Sequence, residues 1–128
     1  MTADSTRTVT AFDALVRTLC QMRDDMDALA ARAERTRNSI ASGVVLSELV
    51  AAEPRPLIIT RMTELLDALS DAAAEVRRAE AHQLRAEGLS HQRIAQLFGV
   101  TRQRAAALLR PPPAAQARAA KRPRPRDG

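Results

Sequence analysis

The sequence predicts an all-α protein: a long, coiled-coil-like helical hairpin, then a three-helix head, then a disordered basic tail. Three observations carry that prediction. Apolar residues recur at steps of three and four over two long stretches, which is the spacing of one helix face. Alanine is abundant and the only aromatics are Phe12 and Phe98, so helix is favoured and a single large core is not. Glycine and proline fall between those stretches or near the end of the chain, where they punctuate helices rather than interrupt them.

Taken in order, residues 1–9 are polar and are expected to fray. Thr10 with Asp13 three residues on has capping-box spacing. A helical hairpin is expected over residues 10–78. Its first arm carries Phe12, Leu15, Leu19, Met22, Met26, Leu29 and Ala33, alternating steps of three and four. That is a heptad seam, and it packs on another helix. Residues 38–43 hold two serines, an asparagine and a glycine and predict a break. Residues 44–52 predict a short helix with Val45, Leu49 and Ala52 on one face. Glu53-Pro54-Arg55-Pro56 stops it, because proline lacks an N–H and restricts the residue before it. Leu57 opens the second arm, with Ile58, Met62, Leu65, Leu69, Ala72, Val76 and Ala79 in its stripe and Leu66 and Ala73 widening it. No glycine or proline follows until Gly88, so this helix is expected to run on into the head, where Leu84 joins the small core.

The two arms are expected to fold back on each other through the elbow at residues 38–56. Pairing of each arm with its copy in a second chain stays open. The seam is longer than one hairpin needs, so self-association through the heptad helices is also expected.

The head spans residues 79–110, and its informative stretch is Leu89 to Arg110. Ser90 can cap a helix whose apolar face is Ile94, Ala95, Leu97 and Phe98. Gly99 follows where a reversing chain needs positive φ. Val100 plugs the corner. Thr101 caps a second helix that carries Arg102, Gln103 and Arg104 in its first turn and Ala105, Leu108 and Leu109 on its inner face. Pro111, Pro112 and Pro113 end it.

This stretch resembles the helix-turn-helix of bacterial DNA-binding proteins. Ala95 matches the small residue where the two helices cross, Gly99 the turn glycine, Val100 the apolar residue after it, and Ala105 and Leu108 the apolar positions of the recognition helix. Ala105 is smaller than the β-branched residue usual there. The resemblance is close over residues 89–110. It is looser over the arm, which is similar to the coiled arms of small actinobacterial helix-turn-helix proteins; Glu53 to Ile59 approximates their E-x-P-L-I pattern with one residue inserted and an extra proline.

The resemblance implies that the second helix enters the major groove of double-stranded DNA. Arg102 and Gln103 are then the base readers, since arginine can bind guanine O6 and N7 together and glutamine adenine N6 and N7. Arg104 and Arg110 are assigned to phosphates. Ser90 and Thr101 can donate to phosphate from helix N-termini, and His91 is a further phosphate candidate. The resulting expectation is sequence-specific DNA binding by a dimeric transcriptional regulator. A nucleoid-type or phage or plasmid DNA-binding protein of low specificity stays open, as does an adaptor that contacts the transcription machinery.

Charge agrees with a polyanion partner for one half only. Residues 1–81 hold 10 basic and 13 acidic side chains, whereas residues 82–128 hold 10 basic and 2 acidic. The tail, residues 111–128, is rich in proline and arginine and is expected to be disordered alone. Its Arg118, Lys121, Arg122, Arg124 and Arg126 form a basic arm suited to phosphate or the minor groove.

Other chemistry finds little support. His82 and His91 have no cysteine or carboxylate at metal-ligand spacing. Asp24, Asp25 and Asp27 form a charged helix face. Cys20 is the single cysteine, so no disulfide framework exists within the chain. No phosphate-binding glycine loop and no aromatic ladder for single-stranded bases occurs. No enzyme activity, metal or cofactor is expected. No run approaches the roughly 20 apolar residues that span a bilayer, and no signal-peptide pattern opens the chain. The expected location is the cytoplasm, at the nucleoid.

Overall fold

The computed structural model describes residues 1–110. Among the described residues there are five helices and no strand: α1 (Ala3–Ala41), α2 (Leu46–Ala52), α3 (Ile58–Ala86), α4 (His91–Phe98) and α5 (Arg102–Leu108). No helix among them is long and apolar enough to cross a membrane.

Residues 3–9, read from the sequence as a polar end, are helical. The helix starts at Ala3 because Thr2 supplies the cap: its Oγ1 accepts from the Ser5 N–H at 3.1 Å and its carbonyl from the Thr6 N–H at 3.0 Å. Asp4 sits in the first turn, where the helix dipole favours a negative charge. Thr10 and Asp13 therefore lie inside a helix already nucleated upstream. At its far end α1 continues to Ala41, through the start of the expected break. Gly43 then takes φ 95° and ends it. The second long helix runs unbroken from Ile58 to Ala86, as the spacing predicts.

The described residues divide into two compact units, one of Arg7–Val76 and the other of Met1–Thr6 with residues 77–110. The division falls inside α3. The first six residues belong to the second unit, where the Gln83 Nε2 donates to Ser5 Oγ at 3.2 Å.

In the Arg7–Val76 unit, Met22 and Leu29 of α1 cluster with Leu65 of α3, flanked by Ile58 and Leu69. Polar contacts continue the same line. Arg61 Nη2 meets Asp25 Oδ2 at 2.9 Å. Arg32 Nη2 meets Glu53 Oε1 at 3.3 Å and donates to the Pro54 and Pro56 carbonyls at 3.0 and 3.2 Å. Glu53 Oε1 also accepts the Ile58 N–H at 2.7 Å, satisfying a donor at the start of α3. Partner numbers thus fall along the chain after Ala52 as they rise along α1.

The seam on α1 differs from the expected one. Leu15, Met22 and Leu29 face inward as predicted, but Phe12, Leu19, Met26 and Ala33 are exposed. Their places are taken by Ala11, Thr18, Asp25 and Arg32, each one residue earlier. The physical reason is pairing: Asp25 and Arg32 find partners across the seam, and Thr18 Oγ1 donates back to the Ala14 carbonyl at 2.9 Å. On α3, likewise, Arg61 turns inward while Met62 and Leu66 are exposed. On the short α2 only Leu49 of the expected face is partly covered; Val45 and Ala52 are exposed.

The other unit is built on smaller side chains. Ala81 of α3, Ile94 and Ala95 of α4 and Ala105 of α5 form its buried centre. Leu84, Leu89, Phe98, Val100, Leu108 and Leu109 pack around them. Leu97 is not part of this face. One residue before Phe98 on a 3.6-residue turn, it points to solvent, half exposed. No buried polar side chain lacks a partner among the described residues.

Candidate nucleic-acid interface

Two glycines set the geometry around α4. Gly88 ends α3 with φ 98° and Gly99 ends α4 with φ 65°. Side chains rarely adopt either value, because Cβ then crowds the carbonyl. The hydrogen bonds are those of a Schellman ending in both places. Leu89 N–H donates to the Leu84 carbonyl at 3.1 Å and Gly88 N–H to Arg85 at 3.0 Å. Val100 N–H donates to Ala95 at 3.0 Å and Gly99 N–H to Gln96 at 3.3 Å. In each the residue after the glycine, Leu89 or Val100, is apolar and packs on the Ala81–Ile94 core, which anchors the turn.

The following helix starts are capped as the sequence predicts. Ser90 Oγ accepts from the Arg93 N–H at 3.1 Å, and Thr101 Oγ1 from the Arg104 N–H at 3.1 Å. Both caps have extended backbone before the helix turns. The three residues from Gly99 to Thr101 are all that separate α4 from α5, and the two helices pack directly on one another.

Burial of Ala105, with Leu108 and Leu109 partly covered, fixes which side of α5 looks outward. At about 100° per residue, Gln103 and Ala107 point away from the core. Arg102 and Arg104 flank them on opposite sides. Arg102, Gln103, Arg104 and Arg110 are exposed, as are Ser90 and Thr101 beside them; His91 is half buried. Of the predicted residues, Gln103 lies on the outer line of α5 with Arg104 to one side, Arg102 is exposed in its first turn nearer the core side, Arg110 follows its end, and Ser90 and His91 stand at the start of α4. Arg118, Lys121, Arg122, Arg124 and Arg126 lie outside the described residues.

Sequence reasoning passed over Ala107 and Gln92. Ala107 shares the outward line with Gln103, and its small side chain lets that helix approach a surface closely. Gln92 is exposed on the first turn of α4. Counting residues from Ala105 and Ile94 on a helical wheel would have found both.

The arginines divide by occupation. From Arg77 to Arg110 the chain carries seven arginines against two glutamates. Arg77 lies over the Phe98 ring, 4.2 Å from its centroid, a cation–π contact that covers the edge of the core. Arg85 Nη1 donates to the Leu89 carbonyl at 2.9 Å, and Arg93 Nη1 to Gln96 Oε1 at 3.3 Å. Arg102, Arg104 and Arg110 make no ion pair among the described residues. No group of histidine, cysteine and carboxylate side chains that could hold a metal occurs among the described residues.

Comparison with known proteins found no matching family model, no matching curated protein and no matching solved structure.

Proposed function

We propose that this chain binds double-stranded DNA in a sequence-specific manner, as a dimeric transcriptional regulator. In this reading α1 and α3 form an antiparallel hairpin arm. The end of α3 with α4 and α5 forms a helix-turn-helix head. Helix α5 lies in the major groove and α4 crosses the backbone.

The observation that carries the reading is the outer surface of α5. It presents Arg102, Gln103 and Arg104, and neither arginine makes an ion pair among the described residues, on a helix held by a capped turn of three residues. A cation already engaged within the fold would have to give up that contact to bind phosphate; among the described residues these have no ion pair to give up. Gln103 at the centre suits an adenine edge, and the methyl of Ala107 a thymine methyl. Arg102 reaches base edges from the helix start. Arg104 and Arg110 reach phosphates on the flanks, and the hydroxyls of Ser90 and Thr101 still have a proton to donate. The basic arm of residues 118–126 adds phosphate contacts and salt dependence.

The test is selection of duplexes from a random pool, followed by fluorescence anisotropy on a selected and a scrambled duplex across a salt series. The intact chain should prefer the selected duplex. Arg102→Ala should cost about 1–3 kcal/mol per half-site on it and much less on the scrambled one. Equal binding to both duplexes would turn the reading into a nucleoid-type protein. Binding to neither at low salt would reject DNA as the partner and favour the adaptor.

A further inference from the structure

The Arg7–Val76 unit keeps polar pairs in its seam and leaves its larger apolar residues outside. On α1, Phe12, Leu19 and Met26 are 44%, 48% and 57% exposed, and Val9 and Val16 beside them 47% and 55%. On α3, Ile59, Met62 and Leu66 are 71%, 44% and 61% exposed. These residues are not scattered. Phe12, Leu19 and Met26 on α1 and Ile59, Met62 and Leu66 on α3 lie about 100° round from the inward line of their helix, displaced in the same sense, one residue toward the C-terminus; Val9 and Val16 point further round, away from α3. The two helices run in opposite directions, as the Asp25–Arg61 and Arg32–Glu53 pairs require. Reversing one helix mirrors its wheel. An equal displacement on both therefore brings the two stripes to one side of the pair, as a single apolar face two helices wide.

From their fractional exposures, the six residues of this face leave roughly 600 Å² of apolar surface uncovered per chain, at the top of the 300–600 Å² of the largest patch on a typical monomer. Apolar atoms make up only about 56–65% of such interfaces, so this area is sufficient for the roughly 800 Å² that each partner contributes to a standard-size interface. A single foreign helix would fill the groove between α1 and α3 and leave part of both stripes wet. A second two-helix layer of the same width covers them.

We infer that this face is an isologous interface between two copies of the chain, closing into a four-helix layer. The spacing on α1 favours self-pairing. Phe12, Leu19 and Met26 stand seven residues apart on either side of Leu19, so the row reads the same in reverse. An antiparallel α1 of the second copy, with the two-fold axis beside Leu19, sets Leu19 against its own copy and Phe12 against Met26. That contact pairs a thioether with an aromatic ring. The inference rests on the dimer of the proposed function but not on DNA binding. It moves the interface away from the seam itself, since Met22, Leu29 and Leu65 are already used within one chain.

The test is sedimentation equilibrium of the full chain without DNA, with circular dichroism as the check on folding. The wild type should sediment as two chains. Leu19→Asp and Met62→Asp should each sediment as one chain with unchanged helix content, because both sites are solvated within a single chain. In a Cys20→Ser background, Leu19→Cys should cross-link to itself on mild oxidation, while Arg17→Cys on the opposite side of α1 should not. A monomeric wild type, a dimeric Leu19→Asp, or equal cross-linking at both positions would overturn the interface. Loss of DNA binding in a chain that still dimerises would reject the proposed function and leave this inference standing.

Discussion

The two units reach stability by different routes. In the unit around α4 and α5, Ala81, Ile94 and Ala105 are wholly buried, and no charged side chain enters the core. In the Arg7–Val76 unit the best-covered side chains of the central cluster, Met22, Leu29 and Leu65, keep 6–8% of their surface exposed, and two ion pairs share their line. Short helices explain the first case. Helices of seven and eight residues are marginal on their own. They need caps at both starts, a glycine ending on α4 and a close alanine-rich contact. Long helices explain the second. Helix α1, at 39 residues, satisfies its backbone along most of its length, so its side chains can be spent on register and on an outer face. The small core is specified by packing. The long pair combines an apolar cluster with two ion pairs along the same line.

That contrast can be broken most severely at Ile94, the largest wholly buried side chain. Ile94→Ala should cost about 2–5 kcal/mol, since a core this small has few side chains able to close the cavity. Hydrogen exchange should show lost amide protection over α4 and α5 while the middle of α1 keeps its own. Equal loss along α1 would mean the units do not unfold separately.

A smaller effect is expected at Arg32, which serves three acceptors near the start of α3. Arg32→Ala should cost about 1–3 kcal/mol, because Glu53 and the proline carbonyls lose a charged donor in a partly buried place. Exchange should rise at the start of α3 and leave α5 alone. Arg32→Met with no loss of stability would show that the stem packs and the charge sets nothing.

The smallest of the three is at a cap. Thr101→Ala removes the acceptor for the Arg104 N–H and should cost about 1 kcal/mol. It should speed exchange in the first turn of α5 only. A chemical-shift map that moved α1 residues 11–29 as well would contradict the separation of the two units.

Most of the local features of α4 and α5, Leu97 apart, were legible in the sequence. Ser90, Gly99, Thr101 and the apolar positions at Ile94, Ala95 and Ala105 act over a few residues each. Caps and left-handed glycines are local chemistry, and local chemistry is written in local order. The unbroken helix from Ile58 to Ala86 was legible for the same reason, since nothing in it stops a helix. The early start of α1 was legible in Thr2 as well, but the stronger pattern at Thr10 masked it.

What tertiary structure alone decided was which face of α1 turns inward. Leu15, Met22 and Leu29 belong to two overlapping heptad rows, one completed by Phe12, Leu19 and Met26 and the other by Thr18, Asp25 and Arg32. Hydrophobicity favours the first row. The second is the one that packs, because Asp25 finds Arg61 thirty-six residues away and Arg32 finds Glu53 twenty-one away. A heptad pattern records that a helix has an apolar side. It holds no record of the distant charge that makes a more polar line the better one to bury.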